Sequence, residues 1–353
     1  MGAFGPPFLW MTPTVNAQPQ LVPDKLPGSK KRKSSWTRYW LSGALHSCID
    51  SFESNYDGGV AGFWLRSFGD LDASDRVLDL CTGNGPVPRL LVEALPAARL
   101  PQTVGVDMSD LSPAWLLSMD EKLKSRITLR ENTNIESLPF EPESFSLVTS
   151  QYGMEYANQA LVLDQVRNVL RPGGRLVCVL HHAGSRLMEV GAAEITHISY
   201  LLGPEGPFKS ARKLVPFMAM RRGAQAQQKL NSNKAAADAR ADYNQSMADL
   251  RVRCTSQPFP DIYTEVGQGI AAAMAHASEA GAGRARRMLE NLRQNLEDSL
   301  LRLQEMLEFA LTEQGVDALK RELLQRDFEV LSLEPVKFET HLMGWGLVAR
   351  KRG

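Results

Sequence analysis

Between residues 76 and 182, short apolar runs of strand length alternate with helical stretches, and no other feature of the chain restricts its fold so strongly. The strand candidates are RVLDLC (76–81), TVGVD (103–107), ITLREN (127–132), SFSLVTS (144–150) and GRLVCVLHH (174–182). Helical patterns lie between them over Val87–Ala94, Ala114–Leu123 and Gln159–Leu170. The last runs into RPGG, where a helix must stop because proline lacks an N–H and its ring crowds the preceding turn. Strands separated by helices pair in parallel, with helices covering both faces. The predicted fold class is therefore α/β, a doubly wound and mostly parallel sheet. At 353 residues, 43% hydrophobic and 23% charged, the chain has enough apolar material for a substantial core.

The flanks read differently. Residues 1–35 are rich in proline, glycine and polar groups and end in SKKRKSS, which predicts a disordered basic tail. Residues 36–73 form an aromatic-rich, helix-compatible segment with Trp36, Tyr39, Trp40, His46, Tyr56 and Trp64, and so many rings must rest on a surface. After the core (74–182), residues 183–313 carry mainly helical periodicity. Leu289, Leu292, Leu296, Leu300, Leu303 and Leu307 follow one another at helical spacing, forming a stripe that covers the core or joins two copies in a homodimer. Residues 314–353 return to the sheet through a helix over Val316–Arg326 and strands at 328–338 and 343–351.

Formal net charge is zero, so nothing global favours nucleic acid or an anionic membrane as a partner. No apolar run approaches the ~20 residues of a membrane span, and the first residues lack the basic and apolar regions of a signal peptide. The four cysteines are scattered without CxxC spacing, which predicts a reducing, cytoplasmic setting. His181, His182, Glu194 and His197 match no standard zinc spacing, and no metal is expected.

The chemistry concentrates in VLDLCTGNGP. Gly83 and Gly85 follow the first strand, where ligands of open parallel sheets bind, and glycine lets a ligand approach the main chain. Asp107 ends the next strand about twenty residues on, the spacing at which a carboxylate holds a ribose diol. Together they predict a nucleoside-containing cofactor. Pro88 stands where a dinucleotide fingerprint needs its third glycine, and Asp79 suits a positively charged ligand rather than a pyrophosphate. S-adenosylmethionine has a sulfonium and an ammonium and no phosphate, which favours it over NAD.

With these residues in view, the sequence resembles the class I S-adenosylmethionine-dependent methyltransferases over 74–182, with a weaker match at 314–351. VLDLCTGNG is similar to that family's first motif, with Cys81 in place of a glycine. VGVDMSD, NTNIESLPF, SFSLVTSQYGMEY and VLRPGGRLVCVLHH resemble its later elements. The resemblance implies a Rossmann-like sheet with an N-terminal helical segment and a long helical insertion after the fifth strand. It also implies a cofactor site of Asp79, Cys81, Thr82, Gly83, Asn84, Gly85, Asp107, Met108, Asn134, Ile135 and Gln151, in which Asn134 replaces a common aspartate facing adenine. Loops after the fourth and fifth strands overhang the methyl group in this fold. They supply the candidate catalytic residues Tyr152, Glu155, His181 and His182.

The implied activity is in-line transfer of a methyl group to an O, N or C atom. The acceptor is expected to be a small molecule enclosed by the aromatic segment and the insertion. A protein or RNA acceptor and a non-catalytic binding role are the alternatives.

Overall fold

The computed structural model describes residues 29–48, 52, 54–220 and 232–353. Residues 1–28 of the expected tail lie outside the described residues. Seven strands form one sheet: β1 (Arg76–Leu80), β2 (Gln102–Val106), β3 (Ile127–Arg130), β4 (Phe145–Gln151), β5 (Leu170–His181), β6 (Phe328–Phe338) and β7 (His341–Lys351). Their order is β3-β2-β1-β4-β5-β7-β6, with β1 to β5 mutually parallel and β7 antiparallel to both neighbours. Strand order reverses beside β1, which pairs with β2 on one side and β4 on the other. The crevice at the carboxyl ends of β1 and β4 is thereby the natural ligand position.

The central strands are continuous apolar runs because both faces are covered. Leu78 and Leu80 face one layer, packed with Val162, Leu163 and Val166 of α6 (Gln159–Val169) and with the terminal helix Glu313–Gln325. Val77 faces the other, with Val60, Phe63 and Trp64 of α2 (Gly58–Phe68) and Leu90 and Leu91 of α3 (Pro86–Ala94). Alternation along β1 puts Asp79 on this second side. The segment expected to be one helix over Ala114–Leu123 is split into α4 (Ala114–Leu117) and α5 (Glu121–Lys124), the latter capped by the Asp120 carboxylate on the Lys122 N–H.

The insertion comprises α7 (Arg186–Leu202), α8 (Pro207–Ala219), α9 (Lys234–Ser256), α10 (Asp261–Ala280) and α11 (Ala282–Phe309), and it has its own core of Ile198, Leu201, Val215, Tyr263, Val266, Ile270 and Leu289. Leu289 and Leu296 are buried there, and Leu292, Leu300 and Leu303 pack against the same cluster. The leucine stripe is thus used within the chain.

The basic cluster departs from expectation. Helix α1 spans Ser29–Leu41, so the last residues assigned to a tail are ordered and docked. Its docking is ionic. Arg32 donates to Glu305 at 2.9 Å, Arg38 makes two hydrogen bonds to Asp298, and the Ser35 hydroxyl donates to the Asp298 carbonyl. Glu305 and Asp298 are buried, two turns apart on the α11 face away from the leucines. Removing one partner of a buried pair leaves the other charge desolvated, at a cost of about 3–5 kcal/mol. Glu305→Ala should therefore lower stability in urea titrations by roughly that amount, and should open α1 to tryptic cleavage near Arg32. Unchanged protection of α1 would contradict this account of its docking.

Candidate cofactor and acceptor site

The loop after β1 is held by its backbone. Thr82 N–H donates to the Val106 carbonyl at 2.9 Å, and Gly85 N–H to the Thr82 carbonyl at 2.9 Å. Gly83 and Gly85 have φ of 52° and 79°, the left-handed region that suits glycine. Cys81 also has a positive φ, 54°, although it is not glycine. Its side chain is accommodated across the loop, since a Cβ on Gly153 would lie 2.3 Å from the Cys81 Cβ. The glycine that the first motif lacks is in effect supplied by the facing loop.

A cavity of about 410 Å³ opens over these loops. Its floor holds two buried carboxylates. Asp107 accepts from the Gly83 N–H at 3.0 Å and the Ser109 N–H at 2.9 Å, yet burial still raises its pKa above the ordinary carboxylate range. Asp79 accepts from the Thr149 hydroxyl at 2.7 Å, and burial pushes it up to about 7. Such a floor favours a ligand with positive charge. It offers little to a phosphate: Pro86 and Pro88 begin α3 without N–H groups, and a helix N-terminus binds phosphate through those groups.

Asp79, Cys81, Thr82, Asp107, Met108, Asn134, Ile135 and Gln151 all line this cavity. Gly83, Asn84 and Gly85 are not among the lining residues; they support it. A Cβ on Gly83 would lie 2.7 Å from the Trp40 indole, so that glycine makes room for α1. Asn84 donates its amide to the Trp40 carbonyl at 2.9 Å and the Ala44 carbonyl at 2.6 Å, and accepts from Ser112 N–H. The Asn134 amide oxygen accepts from the Glu136 N–H at 3.0 Å, which orients it within its turn. The acids and the apolar contacts expected of a cofactor subsite therefore converge, and the residues present fit S-adenosylmethionine.

Of the four candidate catalytic residues, Tyr152 lines the cavity, and its hydroxyl donates to the Met343 carbonyl at 3.1 Å. Glu155 and His181 sit behind it. The Glu155 carboxylate accepts from the His181 backbone N–H at 2.9 Å and from ring Nδ1 at 2.7 Å, and the imidazole stacks on Tyr152 with centroids 4.4 Å apart. His182 lies outside, stacked on Trp345, with its pKa lowered by burial.

Trp36, Trp40, His46 and Tyr56 of the aromatic segment line the cavity, whereas Tyr39 and Trp64 do not. His46 is no free base: its Nε2 meets the Ser54 carbonyl at 3.1 Å and its Nδ1 accepts from Cys48 N–H. Sequence reading missed Lys30, Arg32 and Lys33 as lining residues. Their signal was the basic run itself, which reads as a solvated tail when taken alone.

Residues 77–174 match the family model described as a methyltransferase domain. The chain is 34% identical over 155 residues to a demethylmenaquinone methyltransferase of Lactococcus lactis subsp. lactis, covering 38% of this chain and 57% of that protein. It is 32% identical over 107 residues to a ubiquinone/menaquinone biosynthesis C-methyltransferase of Rhizobium rhizogenes, covering 30% and 41%. The chain spans about half the length of the curated relatives it matches. Among solved structures, the 1,6-didemethyltoxoflavin-N1-methyltransferase of Burkholderia thailandensis aligns over 94% of both chains with a TM-score of 0.44 and 10% identity. Over residues 77–174 the core is thus similar to methyltransferase domains of the S-adenosylmethionine-dependent kind, and S-adenosylmethionine is the cofactor that the match supports.

The loop exchange predicts coupling. Gly153→Ala alone should cost about 1–3 kcal/mol in urea denaturation by overpacking against Cys81, and most of that loss should vanish in a Cys81→Gly background. Additive effects would contradict the exchange.

Asp79 predicts a pH signature. Its raised pKa means that the folded state binds this proton more tightly than the unfolded chain. The resulting stabilisation is complete below the ordinary carboxylate pKa near 4 and is lost as pH rises through about 7. Without ligand, Asp79→Asn should therefore raise Tm relative to the parent more at pH ~8 than at pH ~5. An equal shift at both would contradict the burial argument.

Proposed function

We propose that this chain transfers a methyl group from S-adenosylmethionine to a small, planar, electron-rich acceptor enclosed beneath α1. One observation carries the reading. A single cavity joins a floor of buried carboxylates, Asp79 and Asp107, to walls formed by Trp36, Trp40, Tyr56, Tyr152 and Tyr156. The floor suits the cationic donor and the rings suit a flat acceptor.

The relatives' names support a ring acceptor and extend the choice of atom. One of those proteins is named a demethylmenaquinone methyltransferase and the other a ubiquinone/menaquinone biosynthesis C-methyltransferase. A ring carbon or ring-borne oxygen is accordingly the favoured target, ahead of an amine. The free cysteines fit a reducing cytoplasm. No helix among the described residues is long and apolar enough to cross a membrane.

When bound, S-adenosylmethionine supplies an electrophilic methyl group. The chain's part is to hold and orient. Asp107 would take the ribose hydroxyls, Met108, Asn134 and Ile135 would flank the adenine, and Asp79 would face the positive charge, all from the lining of the one cavity. The aromatic roof excludes water and fixes the acceptor plane, and orientation of this kind can contribute up to ~7–11 kcal/mol. Glu155 and His181 act as positioning residues, because they brace the Tyr152 ring from behind rather than reach the reacting atoms.

The test is calorimetry with S-adenosylmethionine, S-adenosylhomocysteine and NADH, followed by transfer of labelled methyl to a panel of phenols and quinols. The first two ligands should bind and NADH should not. Asp107→Ala should weaken adenosylhomocysteine at least about tenfold, the loss expected of a charged hydrogen-bonding partner. Binding of NADH alone would overturn the reading.

A further inference from the structure

We infer that Asp79 senses the charge on the ligand's sulfur, giving up a proton when the cationic methyl donor binds and keeping it when the demethylated product binds, so that the site distinguishes the two. This rests on the reading above and adds a regulation of the same site.

Strand register places two carboxylates together. In the parallel pair β1–β2, Leu80 stands opposite Val106 and Asp107 follows directly, so Asp79 and Asp107 meet at the same end of neighbouring strands. Both line the cavity, and they are only 2% and 5% exposed. Among the described residues, the groups that donate to them are neutral: the Gly83 and Ser109 N–H groups to Asp107, and the Thr149 hydroxyl of β4 to Asp79. The cations that line the cavity belong to α1 and are placed elsewhere. Arg32 is held by Glu305, Lys33 by the Asn132 side-chain oxygen, and Lys30 is exposed. The floor thus carries two acids and no counter-ion of its own.

The two acids are not equivalent. Two backbone N–H groups favour the ionised form of Asp107, whereas Asp79 has one hydroxyl. Interacting acids titrate as a pair, and Asp79 is the member that keeps its proton, up to about 7. The other groups around it do not change charge near neutrality. Burial raises the Tyr56 phenol, the Cys81 thiol of the adjoining loop and the Cys178 thiol of β5 well above their ordinary ranges. Burial lowers His46, which lines the same cavity.

A sulfonium supplies the missing counter-ion. To meet it, Asp79 must ionise and release its proton to solvent. S-adenosylhomocysteine has a neutral sulfur and leaves that proton in place. Once the methyl group has left, the carboxylate again lacks a counter-ion and recovers a proton from solvent. Only the ionised fraction of Asp79 rewards the donor's extra charge, so the affinity of S-adenosylmethionine relative to S-adenosylhomocysteine should rise with pH. For a group titrating at about 7 the rise is up to about eightfold between pH ~6 and pH ~7.5.

The full chain is titrated calorimetrically with each ligand at these two pH values, in two buffers of different ionisation enthalpy that report proton release. At pH ~6, S-adenosylmethionine should release close to one proton more than S-adenosylhomocysteine, and the affinity ratio should rise about eightfold by pH ~7.5. Asp79→Asn should abolish both differences, whereas any contribution from His46 or from the ligands' own titration would persist in that variant. Equal release with both ligands overturns the inference, because it assigns the carboxylate to the ammonium that they share. Release with neither ligand, or a difference that survives in Asp79→Asn, overturns it as well. Failure of the parent to bind either ligand sinks the functional reading itself.

Discussion

Two carboxylates share the floor of one cavity, and both are desolvated. Asp79 arrives there because β1 alternates its side chains and ends at the point where strand order reverses; Asp107 arrives because β2 ends beside it. Desolvation drives both toward the neutral form, and for Asp79 the shift reaches about 7 even against the hydrogen bond from Thr149. A ligand cation reverses that penalty, so the ligand-free fold holds a preference for positive charge before any ligand arrives. The prolines at the start of α3 act in the same direction, withdrawing the N–H groups that would welcome phosphate.

The roof is ionic where the floor is acidic. Helix α11 presents leucines to the insertion core on one side and Asp298 and Glu305 to α1 on another. Pairs of this kind add little net stability over apolar packing, but they are intolerant of displacement, because each partner left alone is costly. Docking fixed in this way sets α1 in one register. It seats Trp40 against Gly83 and brings Arg32 to the cavity wall. The insertion, expected to enclose the acceptor, contributes no lining residue to the cavity among the described residues and influences the site through α1.

Much of this was legible. The seven strands follow from apolar runs whose length and spacing admit little else, and Asp79 and Asp107 follow from their places at strand ends. Helix α1 was not legible, because its burial depends on charge pairing with residues far along the chain, and SKKRK without those partners is indistinguishable from a solvated tail. The neighbour of Gly83 was not legible for a related reason. Its positive φ is a local property, but the occupant of the space it leaves is Trp40, which only the tertiary fold brings near. His181 illustrates a third limit: the end of β5 points toward the site, yet the Glu155 carboxylate and the Tyr152 ring hold the imidazole one layer back.

That layer has a physical reason to exist. Cys81 and Tyr152 both carry positive φ without being glycine, and they stand on facing loops at the ends of β1 and β4. Backbone held in such a region costs of order 1–3 kcal/mol per residue and persists only when its surroundings over-determine it. Around Tyr152 they do: its N–H donates to the Val179 carbonyl at 2.8 Å, its hydroxyl to Met343, and its ring is braced by His181, which Glu155 grips by both backbone and ring nitrogens. Around Cys81 the bare face of Gly153 leaves room for the side chain. The strain thus lies where a flat acceptor and a charged donor would have to be set face to face, and the polar groups buried behind Tyr152 keep that wall from relaxing.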